Sequence, residues 1–177
     1  MEKKRCLLNF LWELDISSSL KISLTLETIK KTKIIIQNIR ALILHANKFR
    51  TKVIAKSNRP IEIEPEERKS LSEEMKECLV VFFCVEQGDT ERQLQKLYKE
   101  ILKTSEEVKT TNLMIAPFVH LSQNIAKPNV AKELYEKLMK KFEKTPFTVK
   151  SSHFGYHKSL LLDIKGHPGS FRYREFY

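Results

Sequence analysis

Apolar residues fall into short continuous runs, rich in β-branched and aromatic side chains, that are typical of strands. Strands are predicted over six runs: 41–46, 49–55, 78–85, 112–116, 145–149 and 159–164. Asn47 and Lys48 lie between the first two runs and are expected to form a turn. The run at 78–85 is apolar throughout, which predicts a central strand covered on both faces. The run at 145–149 is expected at a sheet edge, and that at 159–164 is expected to be the last strand, and a buried one.

Two segments between these strands show apolar residues at helical spacing instead. The first follows Asp89 and Thr90, either of which can cap a helix, and its apolar face runs over 94–108. The second begins at Pro128, a residue suited to the first turn of a helix, and is apolar over 130–142. This order of elements predicts an α/β fold with a mixed β-sheet and two main helices.

The rest of the chain is polar or hard to interpret. Segment 57–74 is polar and is expected to be a loop. Alternation of apolar and polar residues over 20–27 suits a strand. For residues 1–40 as a whole, however, an extra strand or helix, an RNA-contacting arm and a poorly ordered extension all stay open. We therefore divide the chain into a basic N-terminal extension of unknown structure, residues 1–40, and one domain, residues 41–177.

Charge is distributed unevenly over the 177 residues, whose net charge is +10. Residues 1–60 hold 13 Lys and Arg against 4 Asp and Glu, whereas residues 61–177 hold 19 against 18. A basic segment joined to a nearly neutral domain fits a polyanionic partner, of which RNA is the first candidate. A lysine-rich solvated surface explains the same excess.

The three cysteines, Cys6, Cys78 and Cys84, show no pairing or metal-binding spacing, which favours a reducing compartment. Cys78 and Cys84 lie in an apolar run and are expected to be small core residues. No apolar run approaches the roughly 20 residues of a membrane span. The N-terminus lacks the cleavage site of a signal peptide. A cytoplasmic protein is therefore expected.

Two predicted strand ends concentrate imidazole, lysine and aromatic side chains. One is the stretch 152–158, which contains His157 and Lys158, and the other is 116–122, which contains His120. Polar groups beside a buried strand cost free energy unless they have partners or a task, so the two ends suggest one shared site. The sequence shows no glycine-rich phosphate loop, nucleophile elbow, metal-ligand pattern or carboxylate pair there. Covalent and metal-dependent hydrolysis lack candidates, and no metal or other cofactor is expected.

His120 and Lys158 remain as candidates. Lys158, whose ordinary pKa is about 10.4, is protonated near neutral pH and suits a phosphate or a developing oxyanion better than base catalysis. An imidazole can orient a water or hold a hydroxyl. Such a set suits an already reactive ester, for which placing the water is most of the task. The alternatives are a structural His120, a surface Lys158, and Phe118, Phe154 and Tyr156 as core or pocket wall.

Several short motifs follow one another in an order that resembles a known family. They are Leu42-Ile43-Leu44-His45, Val85-Glu86, Pro117-Phe118-Val119-His120-Leu121-Ser122, Ala126-Lys127-Pro128, Phe154-Gly155-Tyr156 with Lys158, and Lys165-Gly166-His167-Pro168. Together they resemble the N-terminal editing domain of archaeal threonyl-tRNA synthetases, which has a D-aminoacyl-tRNA deacylase-like fold. That family hydrolyses serine mischarged on threonine tRNA, so the resemblance implies the same activity.

The resemblance also implies a mechanism in which water is the nucleophile and the terminal ribose hydroxyl of the tRNA assists. It implies catalytic roles for Lys158 and His120. The residues expected to bind the substrate are Val85, Pro117, Phe118, Val119, Phe154, Tyr156 and His157. The family usually has Tyr where His157 stands, so the resemblance leaves the role of His157 open. The family also has an acidic residue near Phe171, and the role of that carboxylate is not transferred to this chain.

Two alternative functions stay open: a D-aminoacyl-tRNA deacylase, and a non-catalytic tRNA-binding module in which His157 and Phe171 mark a decayed site. The chain is expected to be either a free-standing editor or an isolated relic. Its implied partners are threonine tRNA carrying serine, a second copy in a homodimer, and a synthetase that lacks its own editing domain.

Overall fold

The computed structural model describes residues 38–57 and 70–177, which belong to the unit 36–177. Its elements are β1 (Ile39–Lys56), β2 (Ser72–Cys84), α1 (Glu91–Val108), β3 (Asn112–Pro117), a 3₁₀ turn (Val119–Leu121), α2 (Pro128–Phe142), β4 (Thr148–Ser151), β5 (Tyr156–Ile164) and β6 (Phe171–Phe176). The predicted α/β fold with a mixed sheet and two main helices is confirmed. β1 begins at Ile39, two residues before the predicted start of the domain. The loop predicted over 57–74 is wrong at its end, because β2 begins at Ser72 and pairs there with β1. Predictions for 1–37 and for 58–69 lie outside the described residues.

The strands form one sheet in the order β4–β3–β2–β1–β5, and β6 also pairs with β1. β2, β3 and β4 run parallel to one another, whereas β1 is antiparallel to β2, β5 and β6. One side of β1 pairs with β2. The other side pairs with β6 over 39–44 and with β5 over 46–56. The edge position expected for the strand near 145–149 is confirmed, because β4 ends the sheet.

The turn predicted at Asn47 and Lys48 is wrong, because β1 continues through both residues as one strand. Ala46 lies opposite Ile164 and Lys48 opposite Asp163, so Asn47 is an extra residue in the ladder between β1 and β5. In sequence, a β-bulge and a two-residue turn look alike, because both appear as a polar interruption of an apolar run. The pairing with β2 on both sides of Asn47 shows that the strand continues, and β2 is distant in sequence.

The strand predicted over 159–164 is neither the last strand nor a buried one. Leu160 and Leu161 are 44% and 41% exposed, because β5 lies at the edge of the sheet among the described strands. β6 follows it and is not predicted from the sequence, since arginines alternate there with aromatic residues. Arg172 and Arg174 form ion pairs with glutamates of α1, which places β6 against that helix.

The core consists of two hydrophobic clusters, which divide the side chains of β2 between the two faces of the sheet. Leu79, Val81 and Phe83 belong to the cluster that includes the apolar faces of α1 and α2. Val80 and Phe82 belong to the other cluster. Burying a large aliphatic or aromatic side chain contributes about 1.5–3 kcal/mol, so β2 anchors both layers. The prediction that this strand is central and covered on both faces is confirmed.

The two helices begin where the sequence predicts, and β2 and β3, which precede them, end at the same edge of the sheet. Thr90 caps α1, and its side chain and that of Gln93 form a capping box. Pro128 occupies the first turn of α2. Phe83 in β2 lies opposite Pro117 in the parallel strand β3, so both strands end at the same edge of the sheet. No helix in the described part of the chain is long and apolar enough to cross a membrane.

Candidate active site

A cavity of about 680 Å³ opens at this edge, between the ends of β2 and β3, the start of β5 and the start of α2. The structure brings all nine predicted site residues to its lining: Val85, Pro117, Phe118, Val119, His120, Phe154, Tyr156, His157 and Lys158. They come from three separate segments of the chain: Val85, 117–120 and 154–158. A concave, largely apolar pocket with a few polar groups is the usual form of a small-molecule site.

Lys158 is held in place by the loop that precedes β5. Its ammonium donates hydrogen bonds to the carbonyl oxygen of His153 and to Oγ of Ser152, the latter at 3.4 Å. The ring of His153 is buried, and its Nε2 donates to the carbonyl oxygen of Ser70 at 2.7 Å. His153 is therefore an anchor for the loop, and its ring is absent from the cavity lining.

Gly155 makes the turn between this loop and β5 possible. Its φ is +80°, in the left-handed region that glycine adopts without strain. The carbonyl oxygen of Gly155 accepts a hydrogen bond of 3.0 Å from the backbone N–H of Ser57, which follows β1. The loop is thus fixed at both ends before Lys158 enters the sheet.

His120 lies on the 3₁₀ turn that follows β3, and its ring is exposed. The ring packs edge-on against Phe118, with ring centroids 5.1 Å apart. Phe118 contacts Phe82 in turn and donates its backbone N–H to the carbonyl oxygen of Phe83 at 2.8 Å. This aromatic chain joins the imidazole to the end of β2 that is buried from Cys78 to Cys84.

The apolar wall of the cavity is formed by residues packed into the core. Val85 is buried, and the ring of Phe154 stacks on that of Tyr135 at 5.8 Å between centroids. Tyr156 contacts the edge of the buried ring of His153. His157 is exposed, at the start of β5.

A buried polar network beside the cavity is not predicted from the sequence. The carboxylate of Glu86 accepts a hydrogen bond of 2.5 Å from Oγ of Ser122, and its Oε1 lies 2.6 Å from Nε of Arg40. Oδ2 of Asp89 accepts a hydrogen bond of 2.6 Å from the backbone N–H of Glu86. The network ties the segment that carries His120 to the end of β2. Its signal in the sequence is a carboxylate placed directly after a wholly apolar run, where burial requires a partner.

Burial also decides which other groups near the cavity are reactive. It raises the pKa of Asp89 to about 6 and that of Cys84 to about 12. Cys84 lines the cavity, yet as a neutral thiol it is a poor nucleophile. Burial likewise raises the pKa of Cys78 to about 11. Within residues 38–57 and 70–177, no group of three His, Cys, Asp or Glu side chains could hold a metal ion.

The Gly166-His167-Pro168 corner lies apart from the cavity lining. There Nδ1 of His167 donates to the carbonyl oxygen of Pro168 at 2.9 Å, which leaves its Nε2 to accept a hydrogen bond of 2.8 Å from Nδ1 of His45. Phe171, in β6, is also absent from the lining and is 64% exposed.

Comparison with proteins of known structure confirms the D-aminoacyl-tRNA deacylase-like fold. A probable eukaryotic D-amino acid tRNA deacylase superposes with a TM-score of 0.55 at 11% identity, over 78% of this chain and 100% of that chain. The c-Myc DNA unwinding element binding protein also gives a TM-score of 0.55, at 12% identity, over 78% of this chain and 97% of its own.

Comparison of sequences gives a more specific result. The threonine–tRNA ligase of Staphylothermus marinus is 36% identical over 131 residues, which are 73% of this chain and 21% of that ligase. The threonine–tRNA ligase editing subunit of Saccharolobus solfataricus is 38% identical over 127 residues, 72% of this chain and 32% of that subunit. The chain thus aligns with a fifth to a third of these relatives. A family model, the archaea-specific editing domain of threonyl-tRNA synthetase, matches residues 39–176, and the chain belongs to that family.

Proposed function

We propose that this protein hydrolyses the ester of serine mischarged on threonine tRNA. The observation that carries the proposal is the single cavity lined by both Lys158 and His120, in a chain that belongs to an editing family. An aminoacyl ester is already activated, so a site that positions the ester and a water supplies most of the required chemistry.

Lys158 has the role of holding and polarising the ester. Its ammonium is fixed by Ser152 and by the carbonyl oxygen of His153, so a developing oxyanion meets a charge that is already oriented. His120 positions the substrate from the 3₁₀ turn. Water is the nucleophile, assisted by the terminal ribose hydroxyl of the tRNA. The high pKa of Cys84 supports this choice, because it removes the thiol in the lining as a competing nucleophile.

Discrimination between serine and threonine falls to the apolar wall of Val85, Pro117, Phe118, Val119 and Phe154. One methylene contributes only about 1–3 kcal/mol to binding, so a synthetase cannot separate the two amino acids by affinity alone. A second pocket that admits serine and excludes the larger side chain removes the error after it is made. Tyr156 and His157 complete the substrate-binding set.

Deacylation of seryl- and threonyl-tRNA, measured side by side, tests this function. We expect rapid release of serine, little release of threonine, and loss of activity in Lys158→Met and His120→Ala. Lys99→Met, at an exposed position on α1, is the matched control and should keep full activity. No hydrolysis by the wild type refutes the function, and full activity of Lys158→Met removes that residue from the mechanism.

A D-aminoacyl-tRNA deacylase is the second candidate, supported by the superposition on a probable eukaryotic D-amino acid tRNA deacylase. Parallel assays with D- and L-aminoacyl-tRNA separate the two candidates. Binding of threonine tRNA without hydrolysis of any of these esters identifies instead a non-catalytic tRNA-binding module.

The name of the Saccharolobus relative supports a proposal about partners. We propose that the protein works in the cytoplasm as a free-standing editor beside a synthetase without its own editing domain. Homodimer formation is part of this proposal. β5 and β6 each pair only with β1 among the described strands, so either outer edge offers a surface for a second copy.

A further inference from the structure

The half of β1 that extends beyond its pairing with β6 carries a regular row of cations. Lys48, Arg50 and Lys52 alternate along the strand, so their side chains share one face, about 6.6 Å apart. Directly opposite residues of paired strands point to the same side of a sheet. The basic face is defined here by this row and its neighbours: Lys48, Arg50 and Lys52 of β1, Ser72, Glu74 and Lys76 of β2, and Ser159, Leu161 and Asp163 of β5.

Positive charge dominates this face, which holds four cations and two carboxylates. Lys48 pairs with Glu74 at 3.0 Å. Arg50 and Lys52 are exposed, and neither forms an ion pair with any residue that the structure describes. Glu74, opposite Arg50, has its pKa lowered by Lys48 and also by Arg50, so it compensates part of the charge of Arg50. Arg50 and Lys52 both face solvent from a strand that is paired on both sides.

The basic face leads to the mouth of the cavity. Within β5, His157 lies two residues from Ser159 and so points to the same side of the strand. His157 lines the cavity, as does Lys158 from the other side of β5. The span from Leu161, opposite Arg50, to His157 is four residues, about 13 Å. A ligand that is seated in the cavity and extends past His157 reaches Arg50 and Lys52 without leaving the sheet.

We propose that the basic face binds the phosphate backbone of the tRNA next to its aminoacylated end. This inference rests on the proposed function, because that function places the terminal ester in the cavity. Phosphates are then the anions that continue outward from the site. Contacts to phosphates do not depend on the base sequence, but they fix the register of the nucleic acid. A fixed register is what the delivery of one ester to one pocket requires.

The size of the effect follows from counterion release. For a single-stranded nucleic acid, such as the aminoacylated end of a tRNA, the logarithm of the binding constant falls by about 0.7 per phosphate contact for each tenfold rise in salt. Loss of the contacts of Arg50 and Lys52 should therefore lower the salt slope by about 1.4. If affinity at 1 M salt is unchanged, the same loss weakens binding about 25-fold at 0.1 M salt.

The test uses the full chain with the double substitution Arg50→Ala and Lys52→Ala, and uncharged threonine tRNA as the probe. Fluorescence anisotropy over a range of salt concentrations gives both affinity and slope. Lys99→Ala with Lys103→Ala, two exposed positions on α1, is the matched control and should leave both unchanged. Arg50→Lys keeps the charge and should keep the wild-type slope. Circular dichroism and thermal unfolding verify that each variant is folded.

Two further measurements separate this inference from the proposed hydrolysis. Seryl-adenosine, which lacks the RNA body, should be hydrolysed equally by wild type and double variant, whereas seryl-tRNA should show a raised KM and an unchanged kcat. If the wild type hydrolyses no ester but the double variant still loses salt-dependent tRNA binding, the proposed hydrolysis is refuted and the inference that the basic face binds RNA is supported. A wild-type slope and affinity in the double variant overturn the inference. It is equally overturned if the variant loses only its binding to vesicles of anionic lipid.

Discussion

Truncation of Glu86 is the sharpest test of how the scaffold positions the site. Glu86 is 2% exposed, and two groups depend on its carboxylate: Oγ of Ser122 and the guanidinium of Arg40. Glu86→Ala removes a hydrogen bond to a charged acceptor, which contributes about 1.5–3 kcal/mol. It also breaks a buried ion pair, a change that costs about 3–5 kcal/mol when the remaining charge is fully buried.

The second contribution is reduced in this protein. The side chain of Arg40 is 31% exposed, and its Nη1 lies 3.7 Å from a carboxylate oxygen of Glu175, so water and a second anion compensate part of its charge. We therefore expect Glu86→Ala to lower the free energy of unfolding by about 3 kcal/mol, and Ser122→Ala by about 1.5 kcal/mol. Because the two side chains share one hydrogen bond, the double variant should lose less than the sum, with a coupling of about 1–2 kcal/mol.

The same substitutions should also lower the rate of hydrolysis, because they displace His120, which lies two residues before Ser122. A displacement of about 1 Å in a positioning group can cost a hundredfold in rate. Urea unfolding gives the stabilities, and deacylation of seryl-tRNA below the unfolding transition should give a kcat lowered about 10- to 100-fold with KM nearly unchanged. Glu86→Gln is the matched control, since its amide oxygen still accepts from Ser122. A coupling below about 0.5 kcal/mol, or a wild-type kcat in folded Ser122→Ala, refutes the reasoning.

Two other predictions concern the cavity loop and the network. Gly155→Ala places a side chain on a residue with φ +80°, so it should lower the free energy of unfolding by about 1–2 kcal/mol and lower kcat by displacing Lys158. Gly166→Ala is the control and should not destabilise the protein, because an added Cβ there meets open space at ordinary φ. Equal unfolding midpoints of the two variants contradict the strain argument. Burial raises the pKa of Asp89 from 3.8 to about 6, so its contribution to stability is present at acid pH and is lost as pH rises through 6. Asp89→Asn removes that titration, so the free energy of unfolding of the variant, relative to that of the wild type, should rise between pH 4 and pH 7. If urea unfolding shows the same difference between the two proteins at every pH, this prediction is contradicted.

Local signals in the sequence predict the parts of the fold that depend on neighbours along the chain. The apolar run at 78–85, the cap at Thr90 and Pro128 at the start of α2 each specify an element through periodicity or backbone chemistry. Two predictions failed where the deciding contact is distant. The bulge at Asn47 needs β2 and β5 to be recognised, and β6 needs the glutamates of α1 that pair with its arginines.

The cavity lining is predictable for a related reason. Residues such as His120 and Lys158 stand at strand ends within short motifs, and strands that share a sheet edge bring such ends together. The network of Arg40, Glu86 and Ser122 joins three segments that are more than thirty residues apart. In the sequence, Arg40 and Ser122 look like ordinary surface residues, and Glu86 gives a signal through its position directly after an apolar run. Only the fold shows that the carboxylate is buried and that two partners depend on it.

The charge asymmetry of the sequence takes a different meaning once the fold is known. Of the 13 basic residues in positions 1–60, five lie in β1: Arg40, Lys48, Arg50, Lys52 and Lys56. Part of the basic excess of residues 1–60 therefore belongs to the longest described strand of the domain. Arg40 joins the network beside the cavity, whereas Arg50 and Lys52 face solvent in the row that leads to it. Because the backbone positions of cations on a paired strand have fixed spacing, this row is suited to holding phosphates at a fixed register.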